Sequence, residues 1–196
     1  MVNATFINCH IRVALSLVDT GSATLINCYL SDPGYPGYGV DDTRLDVQNC
    51  VIRICNTTIN GAKKSSFTNC VLVFGRENAL PGKFHSSNTV MNCVYTGTSD
   101  NIFENFTNGN NKVIPDVNNV MKEFTGYNYV YDRSFELTET AARTYLGTDG
   151  TQVGMYGGML PFDPIPNSLQ ITKCNVAGKS TVDGKLSVDI EVSGIK

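Results

Sequence analysis

Phe6-Ile7-Asn8-Cys9-His10-Ile11 decides the fold, because the chain keeps returning to it. The later copies are Leu25-Ile26-Asn27-Cys28-Tyr29-Leu30, Val47-Gln48-Asn49-Cys50-Val51-Ile52, Phe67-Thr68-Asn69-Cys70-Val71-Leu72 and Val90-Met91-Asn92-Cys93-Val94-Tyr95. Their asparagines are 19, 22, 20 and 23 residues apart, a period that marks a solenoid. Numbering the first apolar residue 0, apolar side chains fall at 0 and +5, and cysteine at +3. Strict strand alternation would place 0, +2 and +4 on one face. The parity slips at +2, which is always asparagine. One left-handed residue between two short strands produces that slip, and asparagine tolerates the left-handed region well. Each copy is therefore expected to be strand, one-residue bend, strand, with 0, +3 and +5 turned inward. Stacked at the sheet spacing of about 4.8 Å, the copies would form three buried columns, with the asparagine amides bonded along the stack as a ladder. A sandwich of hairpins would not repeat asparagine and cysteine together at a fixed offset.

These Asn-Cys columns resemble the right-handed parallel β-helix of the pectin-lyase-like superfamily. Gly147-Thr148-Asp149-Gly150-Thr151-Gln152-Val153-Gly154-Met155-Tyr156-Gly157-Gly158, preceded by Phe135-Glu136-Leu137, is similar to the closing phrase of many bacterial, often Bacteroidetes, surface β-helix proteins. The resemblance covers residues 3–158. It implies an all-β, right-handed, single-stranded parallel β-helix and an extracytoplasmic place, secreted or on the cell surface. It is specific for fold and much less so for activity.

The 196 residues suffice for a substantial core. A content of 41 % hydrophobic and 17 % charged residues with net charge −3 is ordinary for a globular chain. Lysine and arginine are dispersed without a basic stripe, which argues against nucleic acid. No apolar run is long enough to span a membrane. Met1 leads almost directly into a repeat, with neither a signal peptide nor a cap before the first strand edge. The expectation is a C-terminal part of a longer β-helix, or a first coil covered by another subunit, with self-association through that open end or the C-terminal hairpin. The seven cysteines do not read as disulfides, since in-register parallel side chains disfavour the sulfur torsion. Free cysteine serves well as a small buried hydrophobe. No spacing suits a metal: Cys50 and Cys55 are the only close pair, and both histidines lie elsewhere.

Proline- and glycine-rich insertions interrupt the repeat after Leu30 and after Phe74. Asn101–Phe106 suggests one more irregular coil. Asp116 followed by Val117, Val120, Met121 and Phe124 predicts a short helix near 116–124, with Asp116 as N-cap and Gly126 ending it. Tyr127 to Tyr131 looks like a strand, and Asp149 to Gly158 is expected to finish the stack. The reading is thus two parts: coils and closing segment over 1–160, then a linker and C-terminal β-hairpin over 161–196. The hairpin alternates over Gln170–Val176 and Lys185–Val192, with a turn at Asp183-Gly184.

No motif identifies a reaction. Asp41, Asp42, Arg44 and Asp46 are the densest charged cluster, but adjacent carboxylates in a loop mouth point apart, and Asn60, Lys63 and Lys64 stand at the matching place in the next coil. No catalytic residue, metal ligand or cofactor is assigned. His10, at +4, is expected to face outward, with no acid partner in its own repeat. The ligand-binding candidates are Tyr35 and Tyr38 on the first insertion and Arg76, Lys83 and His85 on the second. Arg53 and Asn56 form the floor between them. Tyrosine rings can stack on sugars while cations and amides meet hydroxyls or carboxylates. The reading is a noncatalytic β-helix module that binds carbohydrate or protein, or serves as a scaffold. The alternative is the C-terminal fragment of a polysaccharide lyase or glycoside hydrolase whose acids lie upstream.

Overall fold

The computed structural model describes residues 3–11, 21–31, 44–54, 64–74, 87–96, 107–124, 135–163 and 170–193. It divides into two units, Met1–Phe162 and Asp163–Lys196. The first is all-β and built from parallel sheets. One sheet holds β1 (Asn3–Ile7), β3 (Ser22–Ile26), β5 (Arg44–Gln48), β7 (Ser66–Thr68), β9 (Thr89–Met91) and β11 (Thr107–Gly109), neighbours in that order. The other holds β2 (His10–Ile11), β4 (Tyr29–Ser31), β6 (Val51–Ile54), β8 (Val71–Phe74), β10 (Val94–Thr96) and β12 (Lys112–Ile114) in matching order.

The register follows the repeat. Phe6, Leu25, Val47, Phe67 and Val90 lie side by side, as do Ile11, Leu30, Ile52, Leu72 and Tyr95. With the five column cysteines they make one core. Asn8, Asn27, Asn49, Asn69 and Asn92 all have φ between 48° and 57°, the left-handed bend that the parity slip required. The bend aims the backbone both ways along the stack. Asn27 N–H donates to the Gln48 carbonyl of the next repeat at 3.1 Å, and Tyr29 N–H donates to the Cys9 carbonyl of the previous one at 2.9 Å. Each cysteine thiol donates to the carbonyl two residues before it, at 3.2–3.4 Å. That geometry explains why this small buried position is a thiol and not an alanine. Burial raises the Cys50 and Cys93 thiols well above their ordinary range. Cys9, Cys28, Cys50, Cys70, Cys93 and Cys174 are all free.

A sixth repeat follows that the residues did not announce. Asn110 repeats the bend at φ 52°, and Asn111 takes the cysteine place. Its Oδ1 accepts from Cys93 N–H and its Nδ2 donates to the Val90 carbonyl, both at 2.9 Å. Polar Asn108 and Asn111 hide this copy from a hydrophobic pattern. Asn101–Phe106 and Tyr127–Tyr131 lie outside the described residues. So do the segments linking successive repeats.

The expected helix at 116–124 is a single 3-10 turn, Val117–Asn119, capped by the Asp116 side chain. It stops because the chain then pairs backwards: Met121 bridges Leu137, Lys122 N–H donates to the Glu136 carbonyl at 2.9 Å, and Thr138 N–H to that of Val120 at 2.7 Å. One α-helix follows, α1 (Glu139–Thr144), with Thr138 as N-cap. The second unit is an antiparallel hairpin of β13 (Gln170–Val176) and β14 (Val188–Ser193), with a bulge between Ile171 and Lys173.

Candidate functional site

The asparagine row is covered by a strap. Residues 147–158 do not finish the stack; they run across the bends of three repeats. Thr148 N–H donates to Asn69 Oδ1 at 2.9 Å, and Asn69 Nδ2 donates back to the Thr148 hydroxyl at 3.2 Å. Asn27 Nδ2 donates to the carbonyls of Met155 and Gly157, both at 2.7 Å. Asn49 lies between: its Oδ1 accepts from Asn69 Nδ2 at 3.4 Å. Gly158 passes so close that a Cβ there would sit 2.9 Å from Asn49 Nδ2. The ladder along the stack is therefore only part of the arrangement. Asn110 Nδ2 donates to Asn92 Oδ1 at 2.9 Å beyond the strap, whereas Asn27 spends its amide on the strap. A tight turn sets the strap's course: Gly147 N–H donates to the Thr151 carbonyl at 2.7 Å. Asp149 accepts from the Thr151 hydroxyl at 2.8 Å, which holds its carboxyl below the usual range.

Under and beside the strap lies a second core. The +4 side chains Tyr29, Val51, Val71 and Val94, which point away from the first core, pack against Val153, Met155, Phe135 and Leu137. His10, expected to face outward, instead sits among rings. It stacks on Phe162 at 5.4 Å and meets Tyr29 and Phe135 edge-on at 5.8 and 5.9 Å. Burial lowers its pKa. The row is outward only with respect to the first sheet pair, and residues 114–124 and 135–162 turn that outer face into an interior.

The binding candidates fall differently. Tyr35, Tyr38, Asn56, Arg76, Lys83 and His85 lie outside the described residues, as do Asp41 and Asp42. Arg53 is described, in β6 between Ser31 and Val73, and is 8 % exposed. The ends from which the two insertions depart are also described: β4 and β8 flank β6 in one sheet and run parallel to it. The insertions thus leave from the same end of that sheet, two strands or about 10 Å apart. Asp46 pairs with the Ser66 hydroxyl at 2.7 Å, a surface contact across neighbouring strands. Among the described residues, no three histidine, cysteine or acidic side chains gather as metal ligands, and no helix is long and apolar enough to cross a membrane.

The residues that sequence reasoning missed are those of the strap's grip: Thr148, Met155, Gly157 and Gly158. Their one signal was glycine density, which marks close backbone approach without saying to what. No protein-family model, curated protein or solved structure matches the chain.

Proposed function

We propose that the first unit is a right-handed, single-stranded parallel β-helix of the pectin-lyase-like kind, acting outside the cytoplasm as a noncatalytic binding module. Its ligand class would be acidic oligo- or polysaccharide. The observation that carries this reading is the shared departure point of the two insertions, at the ends of β4 and β8 on either side of β6. Two walls rising there would set Tyr35 and Tyr38 opposite Arg76, Lys83 and His85, with Asn56 beside them. Flat rings facing cations suit uronic acid units better than neutral sugars. Arg53, being buried, would brace the floor rather than meet the ligand. The commitment of Asn27 and Asn69 to the strap also favours a structural role for the one polar residue that every repeat shares. The β-helix assignment and the compartment draw on the resemblance in the repeat and the closing phrase.

Glycine-rich loops lose entropy on ordering, so binding should be weak. It should weaken further with salt if Arg76 and Lys83 contribute. The test is calorimetric titration of uronic-acid oligosaccharides into the wild type and a Tyr35→Ala, Tyr38→Ala double variant. Product length is followed in parallel. Binding lost in the variant, with oligosaccharide length unchanged, is the expected result. Equal binding by both proteins, or by neither, would sink the groove. Shortened products would replace the binding module with a lyase or hydrolase.

A further inference from the structure

The hairpin β13–β14 has two faces of opposite chemistry. Its register pairs Val176 with Val188, Cys174 with Ile190 and Ile171 with Val192, so these six side chains share one face. The other face carries Lys173, in contact with Asp189 at 2.7 Å and Glu191 at 3.3 Å. On the apolar face, Ile171 and Val176 are 64 % and 56 % exposed, and Val188, Ile190 and Val192 are each just over half exposed. Two strands alone are marginal in water, so an apolar face of this kind needs a cover.

Charge selects the cover. Between Gln170 and Ser193, Lys173, Lys179 and Lys185 balance Asp183, Asp189 and Glu191. Lys185 meets Asp183 at 3.0 Å in the connection between the strands, and Lys173 serves both acids of the polar face, so charge is balanced over the hairpin as a whole. A charged partner finds nothing on the apolar face to pair with, and a neutral hairpin does not repel its own copy. We infer that hairpins of two chains pack apolar face to apolar face about a twofold axis, making a four-stranded sandwich with both polar faces outward. Two such faces together remove roughly 1,000 Å² from water, the low end for a specific interface, so the dimer is concentration-dependent. Packed sheets lie about 10 Å apart, too far for a direct disulfide. In an isologous contact the same patch meets itself, so the two Cys174 residues, mid-face beside Ile190, lie near one another across the axis. This dimer does not depend on the carbohydrate reading.

The experiment uses the full chain. Sedimentation velocity over a wide concentration range is expected to show monomer passing to dimer. Alkylation of Cys174 by N-ethylmaleimide, resolved by peptide mapping, should slow several-fold over the same range. A short bismaleimide should give a dimer linked through Cys174. Ile190→Asp, which puts a charge in the middle of the face, should leave monomer throughout, with the melting of the first unit unchanged. A wild type that stays monomeric, a dimer that survives Ile190→Asp, or a Cys174 alkylation rate indifferent to concentration would overturn the inference. The last measurement needs no variant, so an unfolded hairpin in Ile190→Asp cannot be mistaken for support.

Discussion

At each bend a single asparagine does two things: it accepts a left-handed backbone, and it offers an amide to whatever passes outside. The two can be separated at Asn27, whose φ is 52° and whose Nδ2 serves two strap carbonyls. Asn27→Ala should cost about 2–4 kcal/mol, from left-handed strain and from leaving buried carbonyls unpaired. Asn27→Gly removes the strain and keeps only the second loss, so it should fall between alanine and wild type. Asn92→Ala, at a bend beyond the strap, should cost less than Asn27→Ala. Thermal melts of the three variants check the order; equal effects at Asn27 and Asn92 would mean that the strap bonds contribute nothing. His10 gives a prediction of opposite character. Burial lowers its folded pKa below the ordinary 6.5, while the unfolded chain still takes up a proton near that value. Its contribution is therefore complete above pH 6.5 and is lost as pH falls through that value, until the folded ring protonates too. Urea midpoints measured across this range should decline toward acid in the wild type and decline less in His10→Phe. An unchanged slope would show that other groups set the acid limb.

The strap is the element whose removal would change most. Gly157 admits no side chain: a Cβ would sit 1.7 Å from the Gln152 carbonyl oxygen. Gly157→Ala should therefore displace the strap, lower the melting temperature sharply and release the amides of Thr148 and Gly154 to hydrogen exchange. Gly150→Ala is the control, since its φ of 77° is strained for alanine but nothing lies within 4 Å of the added carbon; it should cost only about 1 kcal/mol. Similar damage from both would mean that turn strain, and not close approach to neighbouring atoms, governs the segment. How much was legible divides along the same line. The strands and bends were readable because the signal is local, a parity slip inside six residues repeated five times. The strap's course was not, because its bonds reach Asn69 and Asn27 across 79 and up to 130 residues, and a glycine-rich run has no periodicity. The 116–124 stripe looked helical because the side chains of Val117, Val120, Met121 and Phe124 are indeed all buried. Backbone pairing of Met121 with Leu137 took precedence over helical continuation. Of the candidate site, only the departure points and buried Arg53 fall among the described residues, so the tyrosine and cation assignments still rest on residue chemistry.

In the first unit, stability should vary along the stack. In a repeat array each unit leans mainly on its neighbours, so the ends are expected to fray first. Here the gradient has a visible cause in the strap, which clamps the bends of Asn27, Asn49 and Asn69, while the bend of Asn110 is bonded to that of Asn92. The amides of Asn27, Tyr29, Asn49, Val51, Asn69 and Val71, all bonded between repeats, should therefore exchange only through global unfolding. Those of Asn92 and Lys112, bonded in the same way at the far end, should exchange through local opening, with little sensitivity to denaturant. Native-state hydrogen exchange in increasing urea reads this directly. In Gly157→Ala the difference between the central and far repeats should narrow, because the neighbour contacts remain while the clamp is gone. Uniform protection in the wild type would mean that the two cores bind the repeats into one cooperative block. A gradient unaltered by Gly157→Ala would assign it to core packing and leave the strap a passenger.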